Sequence, residues 1–305
     1  FFTATDPHGN ELYTWSWPVI QTWEKAGELV ELLKSPENEI TIQENESAVT
    51  AAVGELEISF SKANGKLVSV KNRKGEVSIG GGPVPAGAES KITGTHWEKD
   101  TEGNFVFEIS TDNYPEKLTW TLHKNGLLKL EASQLHKWFR EVDFIGISFD
   151  YPEEKCTGIK WMGRGPYRVW KNRLKGSNFG VWEKAYNNTV TGETFNNLVY
   201  PEFKGYHGNL YWATLETTES DFTVISETPN LFFQLFTPLK PEHAAGGTHP
   251  PFPEGDLSFL YEIPAIGTKF KQPDALGPQS SKGHFGNHTG DEGYPIKLWF
   301  SFRGK

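Results

Sequence analysis

From Glu39 onward, apolar and polar residues alternate in short runs, the period-two signature of half-buried strands. Leu56-Glu57-Ile58-Ser59-Phe60 alternates strictly, and Ala63-Asn64-Gly65-Lys66 turns it into Leu67-Val68-Ser69-Val70. Phe105, Phe107 and Ile109 share one face of the next run, and Leu118, Trp120 and Leu122 share one face of another. Asn125-Gly126 then leads into Leu128, Leu130 and Ala132, which predicts a tight hairpin with positive φ at both central residues. The alternation continues over residues 142–149, 210–215, 222–225, 231–236, 257–263 and 296–302. The expected fold class is all-β, a large antiparallel sandwich.

The first part of the chain reads differently. Ala4-Thr5-Asp6-Pro7-His8-Gly9-Asn10 is a turn-forming cluster, followed by the aromatic run Leu12-Tyr13-Thr14-Trp15-Ser16-Trp17-Pro18. Trp23, Ala26, Leu29, Val30 and Leu33 then recur at helical spacing and predict a short amphipathic helix. No repeat of fixed period is present. Residues 80–87, 238–256 and 271–295 read as irregular loops, and long loops in a compact β domain are more often functional than idle.

Composition agrees with many strands joined by turns. Aromatics make up 14% of the 305 residues, with eleven Trp, and there are 31 Gly and 19 Pro. The same rings suit sugar binding, because aromatic faces pack against the apolar faces of pyranoses, although most must fill the core. A formal net charge of −9 argues against a nucleic acid or an anionic membrane as a partner, since both need clustered Lys and Arg. No apolar run reaches the roughly 18 residues of a spanning helix. One cysteine, Cys156, excludes an internal disulfide and a cysteine-built metal site. His243 and His249 share one loop, and His284 and His288 are four apart, but Gly283, Gly286 and Gly290 argue against the helix that would make that spacing a metal site. No metal and no cofactor is expected. The compartment stays open, with a periplasmic or extracellular place expected ahead of a cytoplasmic one.

The segment richest in chemistry is Trp161-Met162-Gly163-Arg164-Gly165-Pro166-Tyr167-Arg168-Val169-Trp170-Lys171-Asn172-Arg173. Two glycines and a proline impose a defined bend, crowded by rings and by planar guanidinium donors. Trp182-Glu183-Lys184 and Tyr200-Pro201-Glu202 follow. In order and spacing these residues resemble the C-terminal β-sandwich of family 2 glycoside hydrolases of the β-galactosidase type. That family carries W-x-G-x-G-P-x-E-x-Y-x-D-R at this place. Trp161, Gly163, Gly165, Pro166 and Arg173 match the pattern. Arg168 stands where Glu is usual, Trp170 where Tyr is, and Asn172 where Asp is, and Pro201-Glu202-Phe203-Lys204-Gly205 lacks the usual Gln-Glu pair. The string from Asp6 to Pro18 is similar to the end of the small sandwich that precedes this domain in such enzymes.

The resemblance implies a supersandwich similar to galactose mutarotase over residues 37–305, preceded at 1–36 by the end of another sandwich and a linker helix. It implies a fragment whose catalytic barrel lies on the N-terminal side, in a parent with room to be oligomeric. The expected partners are that barrel and a β-galactoside-like carbohydrate. Retaining hydrolysis needs two carboxylates about 5–5.5 Å apart. The strand–helix alternation of a barrel is absent from the sequence, so no catalytic residue is assigned to this chain and the role expected of it is to shape a pocket. Trp161, Gly163, Gly165, Pro166 and Arg173 are read as a structural corner, with Arg164 and Arg173 bonding carbonyls or carboxylates such as Glu183. Arg164, Tyr167, Arg168 and Trp170 are candidate sugar contacts, joined by Phe285 and Tyr294 from the late loop. Two alternatives remain open. One is a free-standing carbohydrate-binding module or the small subunit of a split β-galactosidase. The other is an aldose 1-epimerase-like enzyme using His136, His207 and Glu202.

Overall fold

A computed structural model describes residues 1–133, 140–191, 199–242, 246–285 and 294–304, and every count of strands or sheets refers to them. The chain is all-β and antiparallel, as its alternation predicts. A nine-stranded sheet runs in the order Asn178–Ala185, Cys156–Gly165, Trp212–Thr217, Phe222–Ser226, Ile296–Ser301, Leu128–Ser133, Lys117–Leu122, Phe105–Thr111 and Ile92–Lys99. A five-stranded sheet follows chain order, with strands Thr41–Glu44, Ala48–Val53, Leu56–Ser61, Leu67–Asn72 and Gly75–Val77. A second one is ordered Gly205–His207, Phe232–Leu235, Leu257–Glu262, Ile145–Asp150 and Gly80–Ala86.

Register explains why one core serves all three. Phe105 lies opposite Leu122, Phe107 opposite Trp120 and Ile109 opposite Leu118, so every second residue of the large sheet points inward. There they meet Phe60 of the first small sheet and Phe149 and Phe259 of the second, all of them buried. Trp120 sits where the three sheets converge, its ring centroid 5.7 Å from Phe60, 6.0 Å from Phe149 and 5.5 Å from Phe300.

Several local expectations are corrected. The Asn125-Gly126 hairpin is not a two-residue turn: only Gly126 has positive φ (80°), and His123 N–H closes a three-residue loop by donating to Leu127 C=O at 2.9 Å. Asn125 is instead tied down from outside, its carbonyl accepting the Ser35 N–H at 2.8 Å. The run 142–149 is broken into Arg140–Val142, which pairs with Gly283–Phe285, and Ile145–Asp150, which enters the second small sheet. The late segment is not wholly irregular, since it holds 3₁₀ turns at Pro273–Leu276 and Pro278–Ser280 besides that short strand.

Most informative is Gly80–Ala86, expected as a loop and found as a strand paired with Ile145–Asp150. It lies at the edge of its sheet, where the outer side asks for no N–H, so Pro83 and Pro85 are tolerated. A Cβ on Gly82 would fall 2.3 Å from the Ser148 carbonyl oxygen, so the closeness of the pairing selects glycine there.

The predicted helix spans Thr22–Leu33, with Glu24 returning a carboxylate to the Gln21 N–H at 2.8 Å. Ala26 is buried and Leu29, Val30 and Leu33 are half-buried, as the spacing predicts, whereas Trp23 is 53% exposed and Thr22 is buried beside Ala26. The Tyr211 hydroxyl donates to Ile20 C=O at 2.8 Å, and Arg303 Nη1 donates to the carbonyls of Leu33 and Lys34, each at 3.1 Å. The helix is thereby held at both ends. Strands Phe2–Thr5 and Glu11–Trp15 form a ribbon paired only with itself.

Glu219 ties the small sheets to the large one. Its carboxylate accepts the Ser78 N–H at 2.6 Å, the Ser78 hydroxyl at 3.0 Å, the Tyr151 hydroxyl at 3.0 Å and Lys155 Nζ at 2.9 Å. Burial pushes its pKa up, but these donors outweigh burial and hold it below its ordinary 4.5. A lowered carboxylate pKa stabilises the fold above the unfolded value, and that contribution is lost as pH falls through the folded value. Glu219→Gln should therefore lower stability at pH 7 and flatten its dependence on pH below about 4.5, read by urea melts across that range. A mutant with the wild-type acid limb would show that this carboxylate is not a stabilising titration.

Candidate functional site

The bend begins at the end of a strand. Cys156–Gly165 is the longest run in the large sheet, and the cis Gly165–Pro166 bond carries the chain out of it. Two indoles brace this exit. Trp161, fully buried, donates Nε1–H to Arg164 C=O at 3.2 Å, and Trp182 donates Nε1–H to Gly163 C=O at 3.1 Å. Gly165 does not have positive φ. Its constraint is proximity, since a Cβ would lie 2.7 Å from an atom of each indole.

Lys184 completes the brace and was not singled out from the sequence. It is 7% exposed, sits over the Trp161 ring at 5.1 Å, and donates to Pro166 C=O at 2.7 Å and to Glu202 C=O. Burial, opposed by Glu202 and reinforced by Arg168, pulls its pKa down to about 8. It thus joins the Gly165–Pro166 turn to the Tyr200–Pro201 turn, two segments far apart in sequence whose proximity no local pattern reveals.

Together these turns open a cleft of about 590 Å³ lined by Tyr167, Arg168, Trp170, Arg173, Glu202 and the loop residues Thr248 and Thr268. Arg168 is nearly buried, its Nε 3.5 Å from Glu202 Oε1 and its Nη1 donating to Thr191 Oγ1 at 2.5 Å. Burial pulls the Arg168 pKa down while Glu202 raises it, and a guanidinium stays cationic in a protein. Trp170 shows only an edge, being 4% exposed and packed edge-on against Tyr206 at 5.5 Å and Phe252 at 5.8 Å. Tyr167 is the open ring, 45% exposed and edge-on to Tyr200 at 6.4 Å. Arg173 is exposed and donates weakly to Gly267 C=O at 3.5 Å.

The other sequence candidates lie elsewhere. Arg164 donates to Leu174 C=O at 3.5 Å and is not among the cleft residues. Glu183 pairs with Lys160 at 3.7 Å, so carbonyls, not Glu183, receive Arg164 and Arg173. Tyr294 packs against Tyr261 at 5.4 Å, and Phe285 ends a strand opposite Arg140. Tyr294 is not among the cleft residues. His207 is 1% exposed beneath Trp161, bonded through Nε2 to Phe203 C=O at 3.1 Å. Burial, with Lys184 adding to it, drives its pKa to about 3, so it is a neutral core residue and not a general acid for an epimerase. His136, His243 and His288 lie outside the described residues.

A larger cavity of about 700 Å³ lies beside the N-terminal ribbon, among Trp17, Val19, Met162, Phe179 and Val181. Its walls are mainly apolar and offer little to orient a hydroxyl-rich ligand. Among the described residues no group of three or more His, Cys, Asp or Glu is placed to hold a metal ion, and no helix is long and apolar enough to cross a membrane.

A family model described as "Beta galactosidase small chain" matches residues 86–250, more than half of the chain and the whole of the corner. No curated protein matches.

Proposed function

The chain belongs to the beta galactosidase small-chain family, and from that premise we propose that it is the non-catalytic partner of a larger chain that hydrolyses β-galactoside-like substrates. Membership gives a role connected with glycoside hydrolysis. The observation that carries the finer reading is the cleft itself. An exposed ring, a guanidinium–carboxylate pair and loop hydroxyls converge on one concave wall at the family's own corner. That is the chemistry a pyranose needs: a flat apolar surface and fixed donors and acceptors around it. Tyr167, Arg168, Trp170 and Arg173 supply the wall of a sugar pocket whose two catalytic carboxylates come from the larger chain. Tyr294, packed against Tyr261, is left out of that wall.

The same reading divides the chain. Residues 1–36 close a neighbouring sandwich and lead through the helix into the domain at 37–305. The self-paired ribbon and the helix held against strand Phe222–Ser226 support that division.

The test is activity. The purified chain should leave nitrophenyl β-galactoside intact, and adding a barrel-bearing large chain of the same family should produce or raise turnover. Hydrolysis by this chain alone that survives repurification, and is abolished by replacing one of its own acidic residues, overturns the non-catalytic reading.

A further inference from the structure

We propose that the cleft at the corner selects an acidic sugar, a pyranoside bearing a carboxylate or a sulfate group. This rests on the reading of the cleft as a carbohydrate wall, and adds the charge of the ligand.

The chain as a whole is acidic, with a formal net charge of −9. Between Trp161 and Ser177, however, it carries Arg164, Arg168, Lys171, Arg173 and Lys175 and no Asp or Glu. The facing wall, Ile266 to Thr268, has no acidic residue either. Among the described residues lining the cleft, Glu202 is the single carboxylate, and it is engaged by Arg168 at 3.5 Å. Lys171 is turned to Glu262 at 3.0 Å and is neutralised there. Arg173 has no acidic partner among the described residues: its guanidinium reaches the neutral carbonyl of Gly267 at 3.5 Å. Among the described residues the cleft therefore holds one guanidinium without an acidic partner, that of Arg173, and one compensated by Glu202, that of Arg168.

An unpaired arginine beside a partly enclosed cavity is a site waiting for an oxyanion. Its planar fork matches a carboxylate or sulfate with two parallel hydrogen bonds, and low-dielectric walls strengthen them. A neutral galactoside would leave that charge unanswered. The sequence points the same way. The β-galactosidase-type pattern has Glu at the position of Arg168 and Asp at that of Asn172, so this corner is three charge units more positive than the pattern (+2 for Glu to Arg, +1 for Asp to Asn). Asn172 is not idle, since it donates to Ile266 C=O at 3.0 Å and accepts the Ile266 N–H at 3.0 Å, which holds the facing wall without adding a negative charge. Tyr167, open and braced by Tyr200, supplies the surface on which the ring of the sugar lies.

The experiment is a calorimetric or NMR titration of the chain with galacturonate, galactose 6-sulfate and galactose, with inorganic sulfate as the control. At least one acidic sugar should bind tenfold or more tightly than galactose, by a margin that shrinks as salt is added. Which one does so identifies carboxylate or sulfate as the group recognised. Arg173→Gln should erase the preference, bringing the affinity for the acidic sugar down to that for galactose, with the melting temperature as the check that the exposed side chain is not needed for folding. Tyr167→Ala should weaken acidic and neutral sugars alike. Equal binding of galactose and both acidic sugars overturns the charge selection and leaves the sugar cleft standing. Inorganic sulfate binding as tightly as the sulfated sugar shows a bare anion site and overturns it too. If no sugar binds the chain, alone or joined to a large catalytic chain, both this inference and the cleft reading fall.

Discussion

Trp120→Ala should remove about 3–5 kcal/mol from the stability of the domain, the upper range for a buried aromatic truncation. The size follows from position. Trp120 is fully buried and reaches Phe60, Phe149 and Phe300, one ring from each of the three sheets, so its loss opens a hole where no single sheet can relax to fill it. Trp120→Phe provides the contrast. The indole N–H has no hydrogen-bond partner, so phenylalanine forfeits volume but no bond and should cost less than half as much. Urea unfolding of the two variants measures both. Equal losses would show that the unpartnered N–H is not what it is taken to be, and a loss under 1 kcal/mol for alanine would show that the sheets do not share this core.

Gly165→Val should cost on the order of 1–3 kcal/mol, the range for overpacking a well-packed site. The backbone is not the reason, because Gly165 lies outside the left-handed region. The reason is that an added Cβ meets both Trp161 and Trp182 at 2.7 Å. Those rings cannot swing aside without breaking their bonds to the carbonyls of Arg164 and Gly163. Because the same turn sets Tyr167 and Arg168 at the cleft, the variant should also weaken sugar binding. In a Trp182→Ala background the added penalty of Gly165→Ala should shrink, since one of the two rings is gone, and a thermal-melt double-mutant cycle reads that coupling. Strict additivity would remove the steric explanation.

Strands and their faces were legible because their signal is local. Phe105, Phe107 and Ile109 needed only alternation to be placed inward. Gly80–Ala86 escaped because glycine and proline mark turns in sequence, and only the sheet edge it occupies makes them compatible with a strand. Trp23 was assigned to the wrong side of its helix because spacing alone does not say which neighbouring surface the helix will meet. At the cleft, Tyr167, Arg168, Trp170 and Arg173 were recoverable from one contiguous segment. Glu202 as the partner of Arg168 was not, because the pairing is made between distant turns. Nor was Lys184, whose burial beneath Pro166 and beside Trp161 contradicts the ordinary exposure of lysine. Trp170 reads in sequence like a stacking surface, but it is buried, edge-on with Tyr206 and Phe252 and covered by the Arg168 guanidinium at 5.5 Å.

The ribbon Phe2–Thr5 and Glu11–Trp15 governs how the chain behaves as a colloid. Its two strands bond only to each other, so each presents an open row of N–H and C=O groups, and Phe2, Leu12, Tyr13 and Trp15 are exposed beside them. Such an edge recruits strands from neighbouring molecules. The opposing force is the mutual repulsion of bodies carrying a net charge of −9, which salt screens within a Debye length of about 10 Å at 0.1 M. Dilution and low ionic strength therefore oppose edge pairing between ribbons, whereas crowding and salt favour it.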